Sequence, residues 1–123
     1  MITDRIMSKP KPHFTPAKRA GDFIFISGQL PFDADMNIVG NSIEEQTRVC
    51  IEHISQALEK VGSSLVMVVK NMVWLTDPED FAAFNSTYAQ YFPDNPPARA
   101  TVGAVLMVPG ARIEIEAVAY HPL

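Results

Sequence analysis

Cysteine is almost missing from this chain of 123 residues: Cys50 is the only one. No internal disulfide can form, so a reducing compartment is expected. No run reaches the roughly 18 apolar residues that a membrane-spanning helix needs. The opening stretch MITDRIMSKPKPHF has no apolar core of the signal-peptide kind, so a cytosolic address is expected. Basic residues form no block and the formal charge is −4, which leaves no electrostatic footprint for nucleic acid. GxSxG, GxGxxG and P-loop patterns are all missing, and with them the support for serine-hydrolase and nucleotide-binding readings. His13, His53 and His121 are scattered without ligand spacing, so no metal site is expected. Asp33 and Asp35 read as solvated loop residues.

The chain does carry enough apolar material for one soluble globular domain over residues 1–123. Hydrophobic residues make up 47% and charged residues 20%, both ordinary values. SKPKPH (8–13) is too proline-rich for a helix and reads as a leading arm. FTPAKRAGDFIFIS (14–27) reads as two extended runs around a Gly21-Asp22 turn. GQLPFDADMNIVG (28–40) is loop-like. Ser42 and Glu45 make a capping box for a helix that places Ile43, Cys50, Ile54 and Leu58 on one side and ends at Gly62. LVMVVKNMVWL (65–75) reads as a strand, with room for a short turn before it. Asp77-Pro78 starts a second helix, which carries Phe81, Phe84, Tyr88 and Tyr91 and stops before Pro93. PPARATVGAVL (96–106) and ARIEIEAVAY (111–120) read as strands around the turn MVPG. The order β-β-α-β-α-β-β predicts an α+β domain with two helices on one face of a sheet.

Counting faces adds a second inference. In 65–75, Val66, Val68, Met72 and Trp74 point one way, and Leu65, Met67, Val69, Val73 and Leu75 the other. In 23–27 the two faces are Phe23/Phe25 and Ile24/Ile26. Both faces are apolar, yet two helices cover only one. Either a partner subunit or the loop 28–40 must cover the second.

Arg99 is a permanent cation at the head of a strand of small residues. Alternation puts Arg99, Thr101 and Gly103 on one face. If MVPG closes an antiparallel hairpin, matching the apolar faces places Thr101 opposite Glu116 and Gly103 opposite Glu114. That face is then a solvent face with a surface ion pair, or a cleft in which Arg99 binds a carboxylate and a glutamate aims a water.

The segments FISGQLP (25–31), VVKNMVWLTDPEDFAAFNSTYAQYF (68–92) and PPARATVGAVL…RIEIEAVA (96–119) resemble the reactive-intermediate deaminase family. This is the RidA or YjgF-like family, also known as L-PSP endoribonuclease. The resemblance implies a chorismate-mutase-like mixed sheet with two helices on one face. It also implies a homotrimer with a central barrel and clefts between subunits. The implied chemistry is cofactor-free hydrolysis of reactive 2-enamino and 2-imino acids, such as 2-aminoacrylate, to 2-oxo acids and ammonia. By resemblance, Arg99 binds the substrate carboxylate and Glu114 positions the water. Ser27, Gly28 and Asn85 shape the cleft, and the backbone at Thr101 contacts the imine nitrogen side. Thr101 stands where many members carry cysteine, and Phe14, at the pocket wall, where many carry tyrosine. The proline of MVPG is also displaced from its usual place. Two other readings remain: an endoribonuclease or translation inhibitor, and a non-catalytic binder of small carboxylates.

Overall fold

The computed structural model describes residues 12–123, so all but the last two residues of the leading arm lie outside them. Strands β1 (Ala17–Ala20) and β2 (Phe23–Gln29) pair as an antiparallel hairpin. Gly21 turns it with φ +60, a conformation that suits a residue without a Cβ. Helix α1 (Ile43–Lys60) begins as its capping pattern predicts: Ser42 Oγ accepts from the Glu45 backbone N–H at 3.1 Å. It ends at Gly62, φ +81, whose N–H donates to the Glu59 carbonyl. A 3-10 turn, Leu65–Met67, leads into β3 (Val68–Leu75). Asp77 caps a second such turn, Pro78–Asp80, which runs on into α2 (Phe81–Tyr91). Strands β4 (Ala98–Gly103) and β5 (Ile113–Tyr120) complete the chain.

The sheet order is β1-β2-β5-β3-β4. Among the described residues only the β3–β4 pairing is parallel, so the sheet is mixed. The antiparallel hairpin expected between 96–106 and 111–120 does not form. Residues 107–110 do turn, but β5 inserts between β2 and β3 while β4 takes the far edge. Two physical reasons favour this arrangement. Helix α2 links β3 to β4, and neighbouring strands joined through a helix run parallel. The alternate residues Ile113, Ile115, Ala117 and Ala119 of β5 are buried, as a central strand requires.

Both helices lie on one face, where Ile24, Ile26, Val73, Leu75, Ile113 and Ile115 meet Ile51, Ile54, Leu58 and Phe84 in a single core. Cys50 is part of it, with no exposed surface, and its thiol reaches the Ile113 carbonyl at 3.9 Å. Val68 also faces this core, against the simple alternation that grouped it with Met72 and Trp74. A register irregularity between Val68 and Lys70 shifts the pleat there.

The other face carries Phe23, Phe25, Met72, Trp74, Val102, Val118 and Tyr120. The loop 28–40 does not cover it. That loop is tied to α1 instead, through Gln46 Nε2 donating to the Val39 carbonyl at 3.2 Å and His53 Nε2 lying 2.8 Å from the Phe32 carbonyl. In a single chain Phe23 is therefore 42% exposed, Phe25 48% and Tyr120 43%.

Candidate functional site

Arg99, Thr101 and Gly103 share a face, as alternation predicts, but it is the helix side. Their partners on β3 are Asn71, Val73 and Leu75. The hairpin reading, which puts Arg99 on the face of Glu114 and Glu116 and so away from the helices, is thus corrected, because the neighbour that sets its side is β3 and not β5. Arg99 reaches over α2, whose residues 81, 84, 85 and 88 line one stripe. Its guanidinium carbon lies 4.8 Å from the Tyr88 ring centre, 5.2 Å from Phe84 and 5.8 Å from Phe81. Three aromatic faces thus attract the cation. Nη1 donates to Asn85 Oδ1 at 2.8 Å, a neutral partner in place of the surface ion pair considered above. Behind Arg99, the Tyr88 hydroxyl accepts from Asn71 Nδ2 at 2.8 Å. Burial pushes the Tyr88 phenol above its usual pKa, opposed by the Asn71 bond and the Arg99 charge.

Two hollows flank this cation. One, about 490 Å³, is lined by Asn85, Tyr88, Phe92, Pro96 and Arg99. The other, about 310 Å³, is lined by Leu75, Pro78, Phe81, Thr101 and Gly103. Thr101 Oγ1 is buried and has no hydrogen-bond partner among the described residues.

Glu114 lies on the opposite face of the sheet. Its register partner on β3 is Trp74, and that of Glu116 is Met72. Pairing of β5 with β2 shifts between Ile26 and Gln29, so Ser27 and Gly28 sit in an irregular stretch. Gly28 comes directly against the Glu114 side chain. A Cβ at that position would overlap the carboxylate, with Cδ only 3.1 Å away. A side chain at position 28 would push the carboxylate end of Glu114 aside. Burial raises the pKa of Glu114 above the usual carboxylate range, and the neighbouring charge of Glu116 raises it further. Beside it, Phe14, Lys18, Phe25, Ser27, Glu116 and Val118 line a hollow of about 400 Å³. Ser27 Oγ donates to the Thr15 carbonyl at 2.6 Å, and Phe14 is 57% exposed.

The expected site residues therefore fall into two groups within one chain. Arg99, Asn85 and Thr101 lie on the helix side at the β4 edge. Glu114, Gly28, Ser27 and Phe14 lie toward the open face. The expected adjacency of Arg99 and Glu114 does not occur within a single chain. Sequence reasoning missed Asn71 and the aromatic support of Arg99. The available signal was the single amide within the run LVMVVKNMVWL. Among the described residues, no three His, Cys, Asp or Glu side chains gather as a metal site would require.

Comparison with known proteins places this geometry among relatives. The sequence pattern defining the family described as Endoribonuclease L-PSP matches residues 5–121. A RutC family protein of the archaeon Pyrococcus horikoshii is 43% identical over 91% of this chain and 90% of its own length. The mitochondrial protein mmf2 of the yeast Schizosaccharomyces pombe is 44% identical, over 86% of each chain. The crystal structure of RidA from an Antarctic Psychrobacter species superposes with a TM-score of 0.83 at 34% identity, covering 91% of both chains.

Proposed function

This chain belongs to the endoribonuclease L-PSP family, the RidA/YjgF group, and from that premise we propose that it hydrolyses reactive 2-imino and 2-enamino acids to 2-oxo acids and ammonia. One observation carries the reading. Arg99 is held by three aromatic rings and a single amide, which leaves further N–H groups for a planar carboxylate.

The opposite-facing groups support an assembly. A carboxylate clamp on one face and a raised-pKa glutamate on the other can meet only if Arg99 of one copy faces Glu114 of the next. The open apolar face supplies the surface for such association, and a closed ring satisfies every copy alike. The proposed unit is a homotrimer with three clefts between subunits.

In each cleft Arg99 fixes the substrate carboxylate and so places the C=N carbon beside Glu114. An enamine first takes a proton from water on carbon and gives one up from nitrogen to become the imine. Glu114 then accepts a proton from water as the water oxygen bonds to the C=N carbon. The same proton passes to the nitrogen, giving a carbinolamine. Glu114 then takes the hydroxyl proton and returns it to the nitrogen as the C=O bond forms, the C–N bond breaks and ammonia departs. A carboxylate raised toward neutrality is a better proton acceptor than one held low. Arg99, Glu114 and water suffice for the hydrolytic steps, and no cofactor is called for. Among the described residues no helix is long and apolar enough to cross a membrane, and the fission-yeast relative is described as mitochondrial.

The test couples the purified protein to a serine or threonine dehydratase and follows 2-oxo acid release. Wild type should accelerate release, and Arg99→Ala should lose about 100-fold or more, the cost of a charge-assisted two-point contact. No acceleration over buffer rejects the reading. If 2-oxo acids then still protect the protein against heat, it is a carboxylate binder without catalysis. The family's name points to RNA cleavage, but a net charge of −4 offers phosphates little attraction. Cleavage that follows the purified oligomer and disappears in Arg99→Ala is the result that replaces the deaminase with a ribonuclease.

A further inference from the structure

Asn71 is out of place in the core. It is 1% exposed on β3, between the half-buried Met72 and the exposed Lys70, and its own side chain points in among the core residues. Its Oδ1 has no hydrogen-bond partner among the described residues. An acceptor stranded in this way has given up its bonds to water and regained none. A leucine of similar size would avoid that loss. What Asn71 gains is one bond, from Nδ2 to the Tyr88 hydroxyl at 2.8 Å. Tyr88 presents the ring closest to the Arg99 guanidinium, and Arg99 is the register partner of Asn71 across the β3–β4 pairing. The contacts close a circuit: strand to phenol tip, phenol face to guanidinium, guanidinium strand back to strand.

The geometry points to Asn71 as a positioning residue for the anion clamp: by fixing the tip of Tyr88 it sets the plane in which Arg99 receives a ligand carboxylate. The Tyr88 ring is anchored at its backbone end by α2 and at its hydroxyl by β3, so it cannot pivot beneath the cation. A clamp with its plane already set loses less freedom on binding than one that must be ordered by the ligand. This inference rests on reading Arg99 as a carboxylate clamp.

The experiment compares Asn71→Leu, Tyr88→Phe and the double variant with wild type. Each single variant removes the same bond from one end. In the dehydratase-coupled assay each should raise KM about fivefold, the usual worth of one hydrogen bond, with kcat little changed. Pyruvate affinity by calorimetry should weaken by the same factor. The double variant should be no worse than either single, because one bond cannot be lost twice. Independently of turnover, the Arg99 Nε–Hε resonance should broaden in both single variants. Additive effects, or a lowered melting temperature with KM and the Arg99 resonance unmoved, overturn the inference and leave Asn71 a packing residue. If wild type binds pyruvate but does not hydrolyse imines, and both pyruvate affinity and the Arg99 resonance respond to Asn71→Leu, the positioning stands and the proposed reaction falls. No pyruvate binding by wild type overturns both. Should Asn71→Leu not fold, Tyr88→Phe alone decides by the same readings.

Discussion

Glu114 is the residue through which pH should act. Burial, then the charge of Glu116, raise its pKa in the folded chain. Below the ordinary glutamate value of about 4.3, the carboxyl is protonated whether the chain is folded or not, and it costs nothing. Above the raised folded value it is ionised in both states, and the folded state bears the full cost of a poorly solvated charge. Stability contributed by this group therefore falls as pH rises through that window. Glu114→Gln should melt higher than wild type at pH 7 and alongside it near pH 4, in paired thermal scans. Activity should show the opposite trade. The acid limb of the rate profile should lie above the ordinary glutamate range, and Glu114→Gln should lose most turnover. A variant that melts as wild type does at both pH values would mean that Glu114 is solvated after all.

At the scale of elements, the 3-10 turn ahead of α2 is fastened by an ion pair to the residue that leads into β5. Asp80, 7% exposed, accepts from Arg112 Nη2 at 2.6 Å and from Nε at 3.1 Å. The backbone N–H of Arg112 in turn donates to Gln46 Oε1 of α1 at 2.8 Å. Asp80→Ala strands a two-point cation that is still partly open to water, so it should cost about 2 kcal/mol. Urea unfolding should show this as a lower midpoint with an unchanged slope. The elements themselves were largely legible in the sequence because their signals are local. Ser42, Gly21, Gly62 and Asp77-Pro78 each act within a few residues, and all appear where they were read. The placement of β4 was not legible. Alternation correctly grouped Arg99 with Thr101 and Gly103, but parity does not say which side of the sheet the group faces. That depends on the strand alongside, and β3 is about 28 residues away along the chain. The contact between Gly28 and Glu114 was likewise hidden, since it arises from a register shift that no local pattern marks.

At the scale of the whole molecule, the open sheet face is the surface on which function should depend. Trp74, the only tryptophan, lies on it. Light scattering should report three chains per particle. Phe25→Asp puts a charge into that face and should yield single chains whose Trp74 emission is shifted to the red. Those chains should also have lost turnover, although Arg99 and Glu114 are both intact in them. Single chains that keep full turnover would show that each chain works alone. The buried position of Cys50 matters at this scale too. The chain's one sulfhydryl is sealed beneath the sheet, and burial holds its proton firmly. Peroxides and electrophiles attack the ionised form of exposed cysteine sulfur, so this thiol offers them no target. A protein whose cysteine is placed in this way should need no thiol reductant to bring it back after an oxidant burst.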